Sequence, residues 1–179
     1  WGYVDAAGKM IVNPQFETAA PFASGLAAVE LGGRYGFIDQ DGKYVINPQF
    51  DEAGNFSENR AVIKLKRRFG YIDKTGTIII NPQFESAGHF SEGLAAIELG
   101  DRWGFIDLTG KLVINPQFDS AEAFSGGLAA IKLNKRWGFV DKSGKIVIHP
   151  QFEAVGYFVK GLAPARMGSR WGYVDINGK

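Results

Sequence analysis

The hydrophobic and aromatic residues of this chain fall into short runs, and the same succession of runs returns every 34 residues. The first repeat contains the runs W-G-Y-V, M-I-V and L-A-A-V-E-L. Short runs of this kind, rich in Val, Ile and aromatic residues and bounded by Gly and Pro, predict β-strands rather than amphipathic helices. The opening run, which begins at Trp1, returns without insertion or deletion at Tyr35, Phe69, Trp103, Trp137 and Trp171.

Two kinds of turn join these predicted strands. Asp5 and Gly8 are separated by two residues between the first and second runs, and an Asp that opens a type I turn with Gly three residues on predicts a hairpin. Gly32 and Gly33 connect the third run to the next repeat and predict a two-residue hairpin. This turn would place Glu30 opposite Tyr35. The second repeat has Lys66 and Arg67 at the same place, which is a less favourable turn sequence.

The repeat predicts an all-β fold made of tandem 34-residue, three-stranded antiparallel units in an open solenoid or superhelix. Residues 13–25 are expected to form a loop with one short helical turn, after a strand that stops at Pro14. A closed, propeller-like ring is the alternative, disfavoured because 34 residues are short for a four-stranded blade of ~40–45 residues. We expect one array over residues 1–179, with repeats 1–34, 35–68, 69–102, 103–136, 137–170 and a partial repeat 171–179, cut from a longer protein.

Composition excludes several classes of function. The chain has 20 basic and 19 acidic residues and no cysteine, so we expect neither nucleic-acid binding nor disulfides. No apolar run approaches the ~20 residues of a membrane span, and no targeting signal indicates a compartment. The only histidines, His89 and His149, lie outside metal-binding spacings. Recurrent serines such as Ser91 lack the sequence context of a nucleophile. The sequence therefore predicts no enzyme, cofactor or metal.

The recurrent W-G-[YF]-[IV]-D-x-x-G-K, followed by I-x-P-Q-F and F-S-x-G-L-A, resembles the WG repeat (also called KWG) of many bacterial proteins. The resemblance covers the whole chain, with departures such as Phe69 at the Trp position and Pro164 in the third run. It implies a β-repeat module that serves interaction and has no family-wide catalytic residues.

Residues that recur in every repeat are predicted to build the scaffold. One such series is predicted to fill the core and comprises Phe16, Phe50, Phe84, Phe118 and Phe152. A second series is basic and comprises Arg34, Arg68, Arg102, Arg136 and Arg170. An acidic series beginning at Glu17 and Asp51 matches it, so we expect ion pairs that join one repeat to the next. A basic stripe that reads phosphates or acidic peptide is the disfavoured alternative.

A third series alternates in sign and comprises Glu30, Lys64, Glu98, Lys132 and Arg166. The alternation suggests a ladder of opposite charges between neighbouring repeats, with chance alternation on a solvated face as the alternative.

Positions that vary between repeats are the candidates for partner binding, because a scaffold whose recurrent residues contact each other addresses partners through its variable ones. One loop position varies most and comprises Pro21, Asn55, His89, Ala123 and Tyr157. We therefore expect a non-catalytic scaffold that binds protein or peptide. Carbohydrate binding through rows of Trp and Tyr, or a rigid spacer, are alternatives. Head-to-tail self-association through the repeat ends is also expected.

Overall fold

The computed structural model describes all residues from 1 to 179, as 21 strands without a helix. All strand pairs are antiparallel, as the sequence predicted. The chain divides into two compact units, Trp1–Phe84 and Glu85–Lys179. The short helical turn expected in the loop of each repeat is absent, because the loop backbone pairs as strand instead.

The first unit contains three sheets. A two-stranded sheet pairs β1 (Tyr3–Val4) with β2 (Met10–Val12). The next sheet has four strands in chain order: β3 (Thr18–Ala19), β4 (Ala27–Leu31), β5 (Arg34–Ile38) and β6 (Tyr44–Phe50). The third sheet repeats that order with β7 (Glu52–Ala53), β8 (Ala61–Leu65), β9 (Arg68–Ile72) and β10 (Ile78–Phe84).

The second unit also contains three sheets. The first has four strands: β11 (Ser86–Ala87), β12 (Leu94–Glu98), β13 (Trp103–Asp107) and β14 (Leu112–Phe118). The second has four strands: β15 (Ser120–Ser125), β16 (Leu128–Leu133), β17 (Arg136–Asp141) and β18 (Ile146–Phe152). The last has three strands: β19 (Ala154–Val155), β20 (Leu162–Met167) and β21 (Arg170–Asp175).

Each complete sheet has four strands where the sequence predicted three per unit. The additional strand is the short outer one, formed by loop residues that pair with the third run, as Thr18 does with Glu30. The sheet is also out of phase with the sequence repeat, because its fourth strand, and its third strand after the opening residue, belong to the following repeat. Since the outer strand is only two residues long in most sheets, 34 residues do suffice for a four-stranded sheet. Strand pairing stays within each sheet, and every sheet has two open edges.

The hairpins have the predicted register and turn chemistry. Glu30 lies opposite Tyr35 across the two-residue turn. In the first turn, the Gly8 N–H donates to the Asp5 carbonyl at 3.0 Å. The Asp5 carboxylate accepts from the Lys9 N–H at 2.8 Å, so one Asp side chain closes the turn.

The glycine that follows the Trp position faces a bulge in the fourth strand. Trp103 pairs with Phe118 and Phe105 pairs with Ile114, so three residues of β14 oppose the single Gly104. A Cβ on Gly104 would lie 2.5 Å from the Ile114 carbonyl oxygen, which no side chain permits. The strand therefore continues through Pro116, where the sequence predicted a stop, because the bulge accepts a residue that lacks an N–H.

Phenylalanine rings form the core of each sheet. All five members of the Phe16 series are buried. A second recurrent Phe lies in or just after the outer strand and packs on an aromatic ring of the second hairpin strand of the preceding sheet. Phe124 lies 4.9 Å from Phe105 and Phe158 lies 4.8 Å from Phe139, measured between ring centroids. These rings fix the loop that carries the variable residues.

Candidate functional site

A groove in the second unit gathers three of the five variable loop positions. It has a volume of about 290 Å³ and is lined by His89, Ala123 and Tyr157, together with Trp103 and Glu122. We call it the loop groove. The other two positions, Pro21 and Asn55, belong to the first unit and are exposed.

The loop groove is built by equivalent residues of successive repeats. Ala123 lies in β15, while His89 and Tyr157 each follow a two-residue outer strand. The residue after each of these three positions is a buried Phe, so the variable side chain lies at the surface above a fixed ring. Variation at this position therefore changes the groove without changing the core.

Recurrent serines hold these loops together, a role that the sequence analysis missed. The Ser91 hydroxyl donates to the Phe124 carbonyl at 2.7 Å, and the Ser125 hydroxyl donates to the Phe158 carbonyl at 2.8 Å. Each bond joins the loop of one repeat to the loop of the next. A serine that recurs directly after the core Phe was the only sequence signal for it.

The polar chemistry of the loop groove centres on Glu122. Its carboxylate accepts a hydrogen bond from the Tyr157 hydroxyl at 3.1 Å. Burial, reinforced by the charge of Glu122 and by this hydrogen bond, raises the pKa of the Tyr157 hydroxyl above its ordinary value. A smaller hollow of about 150 Å³ adjoins the same two residues and Trp137. Glu122 and Tyr157 thus line hollows that contain two different Trp residues.

Three of the recurrent arginines pair with acids of the following repeat. These pairs are Arg34 with Asp51, Arg102 with Asp119 and Arg136 with Glu153. The acidic series also serves the turns, since Glu17 accepts the N–H groups of Gly32 and Gly33 at 3.0 Å. These guanidinium groups are engaged within the scaffold, whereas Arg170 is exposed at the start of β21.

Lys64 and Glu30, two of the alternating charges, pair with the outer strand of their own sheet and not with the alternating charge of a neighbouring repeat, as the sequence suggested. Lys64 pairs with Glu52 at 2.6 Å and lies 4.9 Å from the centroid of the Phe69 ring. Glu30 accepts a hydrogen bond from Thr18 at 3.1 Å. The short outer strands β3 and β7, absent from the prediction, supply these partners.

A larger hollow of about 480 Å³ lies along β21, the unpaired edge of the last sheet. Trp171 and Tyr173 line it, and a Cβ added to Gly172 would meet nothing within 4 Å. The equivalent glycines of the four-stranded sheets lie against the fourth strand, so this hollow occupies the position of that strand.

The chain has no helix that is both long and apolar enough to cross a membrane. No three side chains of His, Asp or Glu are grouped in a way that could hold a metal ion.

The family model for the WG containing repeat matches residues 1–35, 35–67, 69–103, 103–137 and 137–171. The chain belongs to the WG-repeat family. The repeats assigned from the sequence and those of the family coincide to within about two residues at each boundary. No curated protein matches the sequence of this WG-repeat chain.

Solved structures share the fold at low sequence identity. A eukaryotic initiation factor superposes with a TM-score of 0.64 at 12% identity, covering 99% of this chain and 57% of that one. Hsv2 from Kluyveromyces lactis gives 0.55 at 13% identity, with coverages of 90% and 62%. BamB from Moraxella catarrhalis gives 0.53 at 10% identity, with coverages of 96% and 59%. The chain thus spans less than two thirds of these structures, and the likeness concerns the β-repeat, propeller-like fold alone.

Proposed function

We propose that this WG-repeat chain is a non-catalytic interaction module that binds a protein or peptide segment in the loop groove. The observation that carries the proposal is the convergence of the variable positions His89, Ala123 and Tyr157 on one concave surface. Recurrent residues such as Ser91 and Arg102 are engaged by the scaffold itself. The variable ones face solvent at the groove and are free to address a partner.

The aromatic content of the groove supports a protein partner. Tyr157 is 51% exposed, and Trp103 is half-buried with part of its ring lining the groove. Partly exposed Trp and Tyr on a rigid support are the side chains that most often anchor protein interfaces. The hydroxyl of Tyr157 is oriented by Glu122, so the ring is positioned before a partner arrives.

Carbohydrate binding has weaker support. A row of sugar-stacking platforms requires exposed ring faces in register. Trp103 and Trp137 instead pack against the core clusters of their sheets. The ring of Trp137 is also covered by Lys132, whose Nζ lies 5.6 Å from its centroid.

The test is a selection of displayed random peptides on the purified chain, followed by calorimetry of the enriched peptides with two variants. Ala123→Arg fills the loop groove, and large side chains at the equivalent His89 and Tyr157 show that the position tolerates them. Asn55→Arg makes the same change at the equivalent exposed position of the first unit.

We expect the enriched peptides to bind the Ala123→Arg variant about tenfold or more weakly than the natural chain, and to bind the Asn55→Arg variant as tightly as the natural chain. Failure to enrich any sequence, or peptides that bind both variants as tightly as the natural chain, would overturn the proposal. A rigid spacer would give the first of these results.

A further inference from the structure

In three sheets the chain places its own cation on the ring that opens the hairpin strand. The ring centroid lies 4.9 Å from Lys64 Nζ at Phe69, 5.6 Å from Lys132 Nζ at Trp137, and 5.9 Å from Arg166 Cζ at Trp171. In each case the basic residue lies directly opposite the ring across the two-residue hairpin. The scaffold thus uses this position repeatedly as a cation–π site.

The sheet that contains Trp103 departs from this arrangement. The residue opposite Trp103 is Glu98, so the internal cation is replaced by a carboxylate. No lysine or arginine of the chain lies over the Trp103 ring. The ring instead lines the loop groove.

Glu122 brings a carboxylate into this groove, in addition to Glu98 opposite the Trp103 ring. Its side chain is half-buried and is held by the Tyr157 hydroxyl at 3.1 Å. Trp103 and Tyr157 therefore supply aromatic rings to the groove, and Glu122 supplies a negative charge. A positively charged group gains from both features, because ring faces attract cations and a carboxylate accepts their N–H donors.

We propose that the loop groove binds a lysine or arginine side chain of the partner, which occupies the place that Lys132 takes on Trp137. This inference rests on the proposed function and specifies which residue of a peptide the groove selects. The basic residues close to the groove in sequence are engaged elsewhere. Arg102 pairs with Asp119, and Lys142 pairs with Glu92 at 3.2 Å. Besides Glu122 and Tyr157, His89 is the one titratable side chain that lines the groove.

The probes for the test are the amides of N-acetyl-arginine, N-acetyl-lysine and N-acetyl-norleucine, the last being a neutral analogue of lysine. Binding is followed by the NMR signals of the four Trp indole N–H groups. The signal of Trp103 is assigned from the variant Trp103→Phe, because Phe69 shows that Phe is accepted at this position of the repeat. We expect the Trp103 signal to shift with the two cationic probes, with a Kd in the millimolar range, and to stay in place with norleucine.

Two variants test the charge. Glu98→Lys reproduces the arrangement of Lys132 on Trp137 and should place the chain's own cation on Trp103. Glu122→Gln removes the second carboxylate and keeps its shape. We expect each to weaken the cationic probes about fivefold or more, and the matched control Glu30→Lys, which makes the same change in the first unit, to leave them unaffected. The substitutions to lysine keep the fold, because Lys64 and Lys132 occupy that position naturally.

The two proposals fail in different ways. Ala123→Arg shows whether a selected peptide binds in the groove. Cation binding is wrong if such peptides carry no basic residue and their affinity changes by less than about twofold with Glu98→Lys and with Glu122→Gln. An equal response of Trp103 to norleucine amide would also overturn it. If no selected peptide responds to Ala123→Arg, the proposed function itself fails. A shift of Trp103 with the cationic probes that is abolished by Glu98→Lys supports the inference.

Discussion

The last two sheets of the second unit have nearly the same sequence but differ in one strand. Sheet β15–β18 has a fourth strand, and Phe139, which lies in β17, is 1% exposed. Sheet β19–β21 lacks that strand, and the equivalent Tyr173 is 74% exposed. Trp137 is half-buried, whereas Trp171 is exposed. The same positions are therefore core or surface according to whether a fourth strand covers them.

The core clusters show that a WG repeat does not bury its hydrophobic face alone. Phe139 shares a cluster with Ile148 of its own repeat, with Leu128 and Ala130 of the preceding repeat and with Val174 of the following one. Stability in such an array is a sum over neighbouring repeats and not over independent units. Local features, such as the hydrogen bond from the Gly N–H to the Asp carbonyl in the first turn, recur in covered and uncovered sheets.

The largest expected effect is the loss of a core ring in a fully covered sheet. Phe118→Ala should destabilise the chain by about 3–5 kcal/mol, because it leaves a large cavity in a packed cluster. Phe152 contributes to a cluster that includes residues of the three-stranded sheet, so Phe152→Ala should cost less. Urea unfolding followed by Trp fluorescence measures both values. Small and equal losses would show that covering by the next repeat does not determine stability.

The glycine of the W-G pair gives a direct comparison of the two sheets. A Cβ on Gly138 would lie 2.7 Å from the Pro150 nitrogen of the fourth strand, whereas one on Gly172 would meet nothing within 4 Å. Gly138→Ala should therefore cost about 3 kcal/mol through overpacking, and Gly172→Ala should be close to neutral. Equal urea midpoints for these two variants would mean that the bulged strand can move away from Gly138.

Local features of the fold could be predicted from the sequence, whereas features that depend on distant strands could not. The 34-residue period, the Asp5 turn and the pairing of Glu30 with Tyr35 follow from local rules, and the structure has all of them. The helical turn and the stop at Pro116 were wrong. Their outcome depends on pairing with strands distant in sequence, which propensity does not report.

The candidate site was predictable only in part. Variation at one loop position identified His89, Ala123 and Tyr157, because exposed loop residues vary while the core Phe beside them does not. The contribution of Trp103 was not predictable, since a recurrent residue was assigned to the scaffold. The predicted hairpin register already sets Glu98 opposite this ring, but nothing in the sequence showed that the ring lines a groove. The absence of an internal cation over this ring arises from the register of the hairpin together with the missing lysine.

A smaller effect concerns the turns, which belong to a single repeat and should be independent of the neighbouring sheet. Lys66 and Arg67 have φ values of 50° and 69°, a left-handed conformation that costs a residue with a Cβ. Replacing the pair with Asn-Gly should stabilise the chain by about 1 kcal/mol. The matched control replaces Lys135 with Gly, in a turn that already begins with Asn134. A gain in the control as large as in the double variant would show that turn sequence is not what limits the second repeat.

The smallest effect concerns the Asp that closes the first turn of each repeat. A hydrogen bond of 2.6 Å from the Ser143 hydroxyl, followed by backbone N–H donors and the charge of Lys145, lowers the pKa of Asp141 below its ordinary value. In the three-stranded sheet the pKa of Asp175 is also lowered, but chiefly by the N–H of Lys179. The pKa of the turn Asp is therefore lowered in both sheets, but by different hydrogen-bond donors.

Because the folded pKa of Asp141 lies below the unfolded value of about 3.9, its contribution to stability is present above that value and is lost as the pH falls through the folded pKa. Ser143→Ala removes the leading donor, so the pKa of Asp141 should rise toward its ordinary value and the acid-induced loss of stability should become smaller. The pKa of Asp175 should not change, because its donors remain. Carboxyl NMR titration of both residues measures this directly. An unchanged Asp141 titration would show that the backbone N–H groups alone determine the turn, in covered and uncovered sheets alike.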